Sequence, residues 1–312
     1  MKSRFKVFWV LIILNFVAIL FVCGTLKNLY DWTIQDTEGR SQNIALTIDL
    51  QLSTLFSKID LSLLTVASEL TYYHKEGSWL DSAHINDMIQ HQKGLLPETE
   101  GWSITDNEGN FIFSKNDVGN ANFSISDREY FQKIKSNRNV GLQISRPIKS
   151  RASGNLVIIF ARGYYNERGT FLGIVVAPLP VSYLNKLLSG FSSSPQGIIS
   201  LLYSDMETIA EFSVSESSPV AHLDSLKNCK ELAGLIETGA KQATFHSVCT
   251  QGEFERIFSF RKNSISQLPI IVGLSKDYFL KGFNQTVLVS IILLGLFLIF
   301  MNLITHKAQP PL

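Results

Sequence analysis

Two uncharged apolar runs bracket a long stretch in which apolar positions recur first with a helical and then with a strand-like period. The first run, "VFWVLIILNFVAILFVCGTL", occupies residues 7–26, and the second, "TVLVSIILLGLFLIFMNLIT", occupies 286–305. At a rise of about 1.5 Å per residue, each makes a helix of roughly 30 Å, the thickness of bilayer hydrocarbon. Lys2, Arg4 and Lys6 precede the first run, while His306 and Lys307 follow the second. Basic flanks of this kind put residues 1–6 and 306–312 in the cytoplasm and everything between the spans on the far side of the membrane. A cleaved signal peptide also begins basic and then apolar, but this run is too long and no small-x-small cleavage pattern closes it. Leu20-Phe21-Val22-Cys23 is a poor lipoprotein box, because bulky Val22 stands where a small residue belongs. A retained anchor is expected.

Within residues 27–75 there is no proline, and Ile44, Ile48, Leu52, Leu55, Ile59, Leu63, Val66 and Leu70 fall in steps of three or four. That spacing lines one face of a long amphipathic helix, able to pack on a sheet or on its twin in a second chain. Gly39 weakens its early part. A shorter helix is expected over 81–92, with Asp81 as N-cap and Ile85, Met88 and Ile89 as its apolar face. His84, Asp87 and His91 share a face of it and carry ligand chemistry, but three polar residues on an outward helix read more simply as a solvated stripe, and no metal is expected.

The period then shifts to two. "GWSITDNEGNFIFSK" reads as strand, turn and strand, with Asp106 to Gly109 supplying the turn. A helix is expected over 128–135, capped by Ser126 or Asp127. Strands follow at "VGLQISRPI", "NLVIIFARGYY" and "FLGIVVAPL", the last two joined by an "NERG" hairpin turn. A helix over 181–189 and the Ser-rich break "SGFSSSPQG" mark a boundary. A shorter version of the same plan recurs after it: "GIISLLYS", "TIAEFSV", a helix over 223–238, then "ATFHSVC", "FERIFSFRK" and "LPIIVGLS". The expectation is an α+β fold with one module over 76–190 and a second over 191–280, carried between two transmembrane helices.

Charge changes the picture little. The 312 residues carry a formal net charge of +1, which excludes a general attraction to nucleic acid. A mean hydropathy of +0.13 is concentrated in the two end runs. With Cys23 inside the first span, Cys229 and Cys249 are the pair outside, where oxidising conditions permit a disulfide; two unrelated small buried residues fit equally. No GxSxG, HExxH, P-loop or GxGxxG stands in a strand-helix setting, so no catalytic residues, cofactor or enzymatic activity are expected in this chain.

The ordered set "SITDNEGNFIFS", "SISDREYFQKI", "LQISRPIKSRASGNLVIIFARGYYNERGTFLGIVVAPL" and "RIFSFRKNSISQLPIIVGLS" resembles the double Cache (dCache) sensor domain, of the type found ahead of diguanylate cyclases and other bacterial signalling proteins. The resemblance covers nearly all of the outward segment. It implies tandem PAS-like modules behind a long N-terminal helix, a membrane-distal module that binds a small molecule, and a proximal module that relays the result. The family's Arg-x-aromatic-aromatic stretch, which lines the distal pocket in ligand-binding members, falls on Arg128, Tyr130 and Phe131. A guanidinium can grip a carboxylate in bidentate fashion, and aromatics can stack on a ligand or cage an ammonium. Ser145, Arg146 and Arg162, with Ser150 and Arg151 nearby, are further polar candidates. The plainer reading of these arginines is sheet-edge residues, solvated or paired with Asp127 and Glu129, and that of Tyr130 and Phe131 is ordinary core. The amino-acid-binding branch also needs an acid on the last distal strand, where this sequence has Pro178 and Pro180. An organic anion is therefore expected in preference to an amino acid, since a buried ammonium would lack its counter-charge.

The resemblance thus implies a receptor in the bacterial inner membrane with a periplasmic sensor, acting as a homodimer packed along the 44–70 seam and signalling to a cytoplasmic output. After Lys307 only "AQPPL" follows, so the output, such as a diguanylate cyclase or histidine kinase, is expected on a missing part of the chain or on a separate protein. The alternative is a membrane-tethered adaptor with a degenerate pocket that binds a partner protein.

Overall fold

The computed structural model describes residues 2–75, 82–114, 124–151, 153–191, 195–213, 226–249 and 255–307. The first apolar run and the amphipathic stripe are one helix, α1 (Lys2–Lys75). Gly39 does not break it, because a single helical glycine costs only about 1 kcal/mol and this one has open space around it. At the other end α6 (Lys276–Lys307) carries the second run. Both helices are long and apolar enough to cross a membrane, and their apolar side chains, such as Phe21 and Phe300, point outward, as lipid-facing residues do. The two run alongside each other, with the Tyr30 and Phe283 rings edge to face at 5.5 Å.

Between them lie two antiparallel sheets. The first contains β1 (Ser103–Thr105), β2 (Phe111–Ser114), β3 (Gln143–Ile144), β4 (Ile148–Lys149), β5 (Leu156–Tyr165) and β6 (Phe171–Pro180), in the order β2-β1-β6-β5-β3, with β4 also on β5. Here "VGLQISRPI" is two short strands rather than one. Ser145 takes the Ile159 N–H on its Oγ at 2.9 Å, and Pro147 has no N–H to give, so the ladder is interrupted between β3 and β4. The turn at Asn166 to Gly169 closes the β5–β6 hairpin through Asn166 N–H to Thr170 O at 3.0 Å. The second sheet contains β7 (Ile198–Leu202), β8 (Thr208–Ser213), β9 (Gln242–Ser247), β10 (Arg256–Lys262) and β11 (Pro269–Ser275), in the order β8-β7-β11-β10-β9. In both sheets the last strand inserts beside the first, so the recurrence in sequence is a recurrence of topology. Because β11 runs directly into α6, the second sheet is the one next to the two apolar helical ends and is called proximal here, the first distal.

Among the described residues there are four shorter α-helices, α2 (Ser82–Leu95), α3 (Glu129–Ser136), α4 (Val181–Ser189) and α5 (Lys230–Glu237). The expected cap Asp81 and the expected helical residues 223–225 lie outside the described residues. His84 bonds Glu69 at 3.0 Å, and among the described residues His84, Asp87 and His91 do not come together as a ligand set. Cys229 and Cys249 are joined by a disulfide, with their Cα atoms 4.8 Å apart; Cys23 is free.

The stripe on α1 is the core of the molecule. Ile48, Leu52, Ile59, Leu63 and Val66 are fully buried against Ile104, Phe160, Val175 and Ala177 of the distal sheet and Ile199, Ile270 and Val272 of the proximal one. The seam is thus consumed by the chain's own sheets, which corrects the expectation of a dimer packed along it: each sheet presents one apolar face, and α1 is what covers it. Polar bonds fix the register. Asp49, almost fully buried, accepts from Arg261 Nε at 2.9 Å, from Asn263 Nδ2 at 2.9 Å and from the Ser264 N–H at 3.1 Å. Farther out, Asp60 receives Arg162 through two bonds of 2.6 and 2.8 Å.

Candidate functional site

The SDREYF stretch lies on the distal sheet face away from α1, and the β1–β2 turn holds it there. The Ile125 N–H donates to Gly109 O at 2.9 Å. Gly109 has φ +87°, and a Cβ on it would stand 2.8 Å from Ser126 N, so only glycine lets the segment lie this close to the turn. Helix α3 then begins at Glu129 with Arg128 in the N-cap position and no side-chain cap. Neither Ser126 nor Asp127 caps it, contrary to expectation. The Asp127 carboxylate is instead drawn to Arg151, which gives it bonds of 2.8 and 3.2 Å and also donates to Ser124 O. This pair ties SDREYF to the β4–β5 connection. The Arg151 hydrogen bond is the largest influence on Asp127 and holds its carboxyl below the ordinary range.

From α3, Tyr130, Phe131 and Ile134 point onto the sheet, as the helical spacing requires. They are buried with Ile125, Val157, Ile159, Ala161, Ile174 and Val176. The backbone at Gly163 is approached so closely that a Cβ there would sit 2.6 Å from Ile134. Phe131 meets Phe171 edge to face at 5.7 Å between centroids. Pro178, in strand alternation with Ile174 and Val176, extends this face, and its carbonyl accepts the Glu100 N–H at 2.8 Å. The sheet face therefore offers apolar groups and no acid along these positions of β6.

At its rim the chemistry is cationic. Burial pushes the Tyr130 hydroxyl up to about 12, while the charges of Arg128 and Arg151 act in the opposite direction. Arg128 Nε is buried and has no hydrogen-bond partner among the described residues. Two guanidinium groups and one carboxylate thus surround one phenol, and the carboxylate is already taken by Arg151. The arrangement can accept an anion.

The other sequence candidates are distributed. Ser145 donates its Oγ–H to Arg146 O at 2.7 Å while accepting from Ile159, so its polar capacity is used within the β3–β4 corner. Arg146 reaches out of the distal sheet: it pairs with Asp205 and Glu207 on the β7–β8 turn and lies over the Tyr203 ring at 5.1 Å. The Tyr203 hydroxyl in turn donates to Ser145 O. These groups form a clasp between the sheets. Arg162 lies on the opposite face of β5, bonded to Asp60 of α1, and is not brought together with Arg128. The pairing of Arg151 with Asp127 was one of the two readings open in sequence; the clasp had no signal, because nothing local in "SDMET" marks it as a partner for residue 146.

No family model matches the sequence, and no curated protein matches it. The fold does have solved counterparts. The chain is similar to the extracellular domain of rpHK1S-Z16, described as a histidine kinase, at 22% identity and TM-score 0.67, covering 80% of this chain and 98% of that one. The periplasmic sensory domain of the Campylobacter jejuni chemoreceptor Tlp1 aligns at 16% identity and TM-score 0.62, over 80% and 98%. The ligand-binding domain of the C. jejuni chemoreceptor Tlp3, solved with L-valine, aligns at 11% identity and TM-score 0.60, over 81% and 98%. The fold is shared with these solved extracellular and periplasmic sensory domains, in line with the tandem arrangement that the sequence resemblance implies.

Proposed function

We propose that this chain is a transmembrane sensor whose membrane-distal sheet takes a small organic anion at Arg128, beside Tyr130 and Arg151, and passes occupancy to the spans along α1. The observation that carries the reading is the buried, unpartnered Nε of Arg128 at the end of a sheet face with no acid at Pro178. A carboxylate would satisfy that donor, whereas an α-amino group would find no counter-charge among these residues. The fold supports sensing, since the domains it matches are named as sensory or ligand-binding. The membrane placement, with a periplasmic sensor and a cytoplasmic output of diguanylate cyclase or histidine kinase type, is part of this proposal. Transmission requires that the ligand bind one arrangement of the helices better than another.

Thermal shift of the full chain in nanodiscs against a panel of mono- and dicarboxylates tests the site. Arg128→Ala should weaken the best acid by about 10- to 100-fold, the value of a charged hydrogen bond or two. Unchanged stabilisation in that variant would remove the site. A second reading, the tethered adaptor, is favoured by one observation: Tyr130 and Phe131 are packed into the core. It predicts a co-purifying protein partner and no response to any acid.

With the inner stripe of α1 occupied, the homodimer we propose uses its outer row, where Leu61, Leu64 and Tyr72 are exposed on the side away from the sheets. Leu61→Cys should form an intermolecular disulfide under mild oxidation. A single chain at all oxidant levels would exclude this surface.

A further inference from the structure

A second polar site lies on the other side of the distal sheet, in a cleft between α1 and α4 of about 340 Å³. That volume is at the lower end of small-molecule sites. Its apolar wall comes from Leu50, Leu55 and Leu187, with the Tyr183 ring beside them, and its polar groups include Lys58 and Glu98. Glu98 Oε2 is buried with no hydrogen-bond partner among the described residues. The backbone just after it is pinned: Thr99 bonds Leu96 O and receives the Trp102 indole N–H at 2.9 Å, and the Glu100 N–H is held by Pro178 O. The carboxylate is therefore presented from a fixed backbone, and a buried acceptor left unmade costs about 1–3 kcal/mol or more. The charge of Glu98 also adds to burial in raising the Tyr183 hydroxyl. Lys58 lines the same cleft, yet no ion pair within the described residues joins it to Glu98.

We propose that this cleft is a ligand site distinct from Arg128, taking a small zwitterion whose ammonium meets Glu98, whose acid group meets Lys58, and whose short apolar body lies on Leu50, Leu55 and Leu187. Opposite charges that face one cleft without pairing match a molecule carrying both, and the leucines and the tyrosine ring match its carbon chain. The location gives binding a consequence. Helix α4 connects the two sheets and holds the proximal one through Asn185 Oδ1, which accepts the Glu211 N–H at 3.1 Å. A ligand between α4 and α1 therefore sets how that connection sits on the helix that leads to the membrane. Binding itself does not depend on the anion site; only its regulatory meaning rests on the sensor reading.

The full chain in nanodiscs would be titrated with 4-aminobutyrate, n-butylammonium and butyrate, following the melting temperature. The zwitterion should give a saturable rise of about 3 °C at tenfold excess over its Kd, and each half-molecule a smaller one. Glu98→Gln should remove the response to butylammonium, Lys58→Met the response to butyrate, and either should weaken 4-aminobutyrate at least tenfold. Arg128→Ala should leave 4-aminobutyrate unaffected, so failure of the anion site and failure of this one are separable. No response to any probe overturns the proposal. So does a response that survives both Glu98→Gln and Lys58→Met, or one that disappears in Arg128→Ala. Lys58 is exposed, so its variant reports binding even where Glu98→Gln destabilises the fold.

Discussion

The two sheets share strand order and share α1, yet their outward faces are closed by different means. On the distal sheet α3 lays Tyr130, Phe131 and Ile134 over β5 and β6 and leaves Arg128 at the rim. On the proximal sheet α5 contributes Leu232 to a cluster with Ile198, Phe258 and Ile271, and the Cys229–Cys249 disulfide anchors its start. Both helices span only eight residues, too short to persist in water without tertiary support. One obtains that support from aromatic burial, the other partly from a covalent link. The proximal cation Arg256 is bonded to Gln196 O at 2.9 Å, whereas Arg128 Nε has no hydrogen-bond partner among the described residues. Closure by side-chain packing with a polar rim suits the face proposed to admit a ligand; closure by a cross-link suits one that stays shut.

The sharpest way to break this contrast is Phe131→Ala. Phe131 is fully buried, and the cavity should cost about 3–5 kcal/mol, with α3 released from the distal sheet. Hydrogen exchange should show protection lost in α3 and retained in α5; equal loss in both would mean that the two faces do not close independently.

The next effect concerns the way α1 is held on each sheet. Asp49→Asn should cost about 3 kcal/mol in chemical denaturation, because Arg261 loses its buried counter-charge. Burial raises the Asp49 carboxyl, but the bonds from Arg261, the Ser264 amide and Ser53, with the Arg261 charge, outweigh it and hold the group below its ordinary value. Its folded form is depressed, so this contribution is fully present above the ordinary carboxylate range and is lost as pH falls through the lower folded value. The wild-type chain should therefore lose stability on acidification more steeply than Asp49→Asn. Parallel acid profiles for the two would show that Asp49 is not the titrating anchor.

The smallest effect on stability should come from Arg146→Ala. The Arg146 pairs are solvent-exposed, so global stability should move by less than about 1 kcal/mol. Its effect should appear instead as coupling: probe binding at Arg128 should no longer alter hydrogen exchange at the β7–β8 turn. An unaltered response there would make the clasp ornamental to the relay.

Much of this architecture was legible in the chain because it rests on local rules. The length of an uncharged run identifies the two apolar helical ends, steps of three and four identify the rest of α1, alternation with turn residues identifies β1 and β2, and apolar runs joined by a turn identify β5 and β6. The split of "VGLQISRPI" was less legible, since it depends on a serine hydroxyl replacing a ladder bond. The candidate residues were legible by type, but their arrangement was not. Arg128, Tyr130 and Phe131 come together because they are neighbours on one short helix start. Arg162 is only a few residues along β5 from Ile159, but strand alternation sends it to the opposite face, where Asp60 is waiting on α1.

The sequence by itself determined that the chain has two apolar helices, a long amphipathic helix and two modules of one plan, because hydrophobic period and run length are properties of neighbouring residues. It also set the missing acid at Pro178. Only the tertiary structure decided that the α1 stripe serves the chain's own sheets, that Arg146 joins the modules, that Asp127 pairs with Arg151 rather than capping α3, and that Lys58 and Glu98 face one cleft. Those outcomes depend on which distant groups compete for the same burial and the same hydrogen bonds, and that competition is resolved only when the sheets close on the helix.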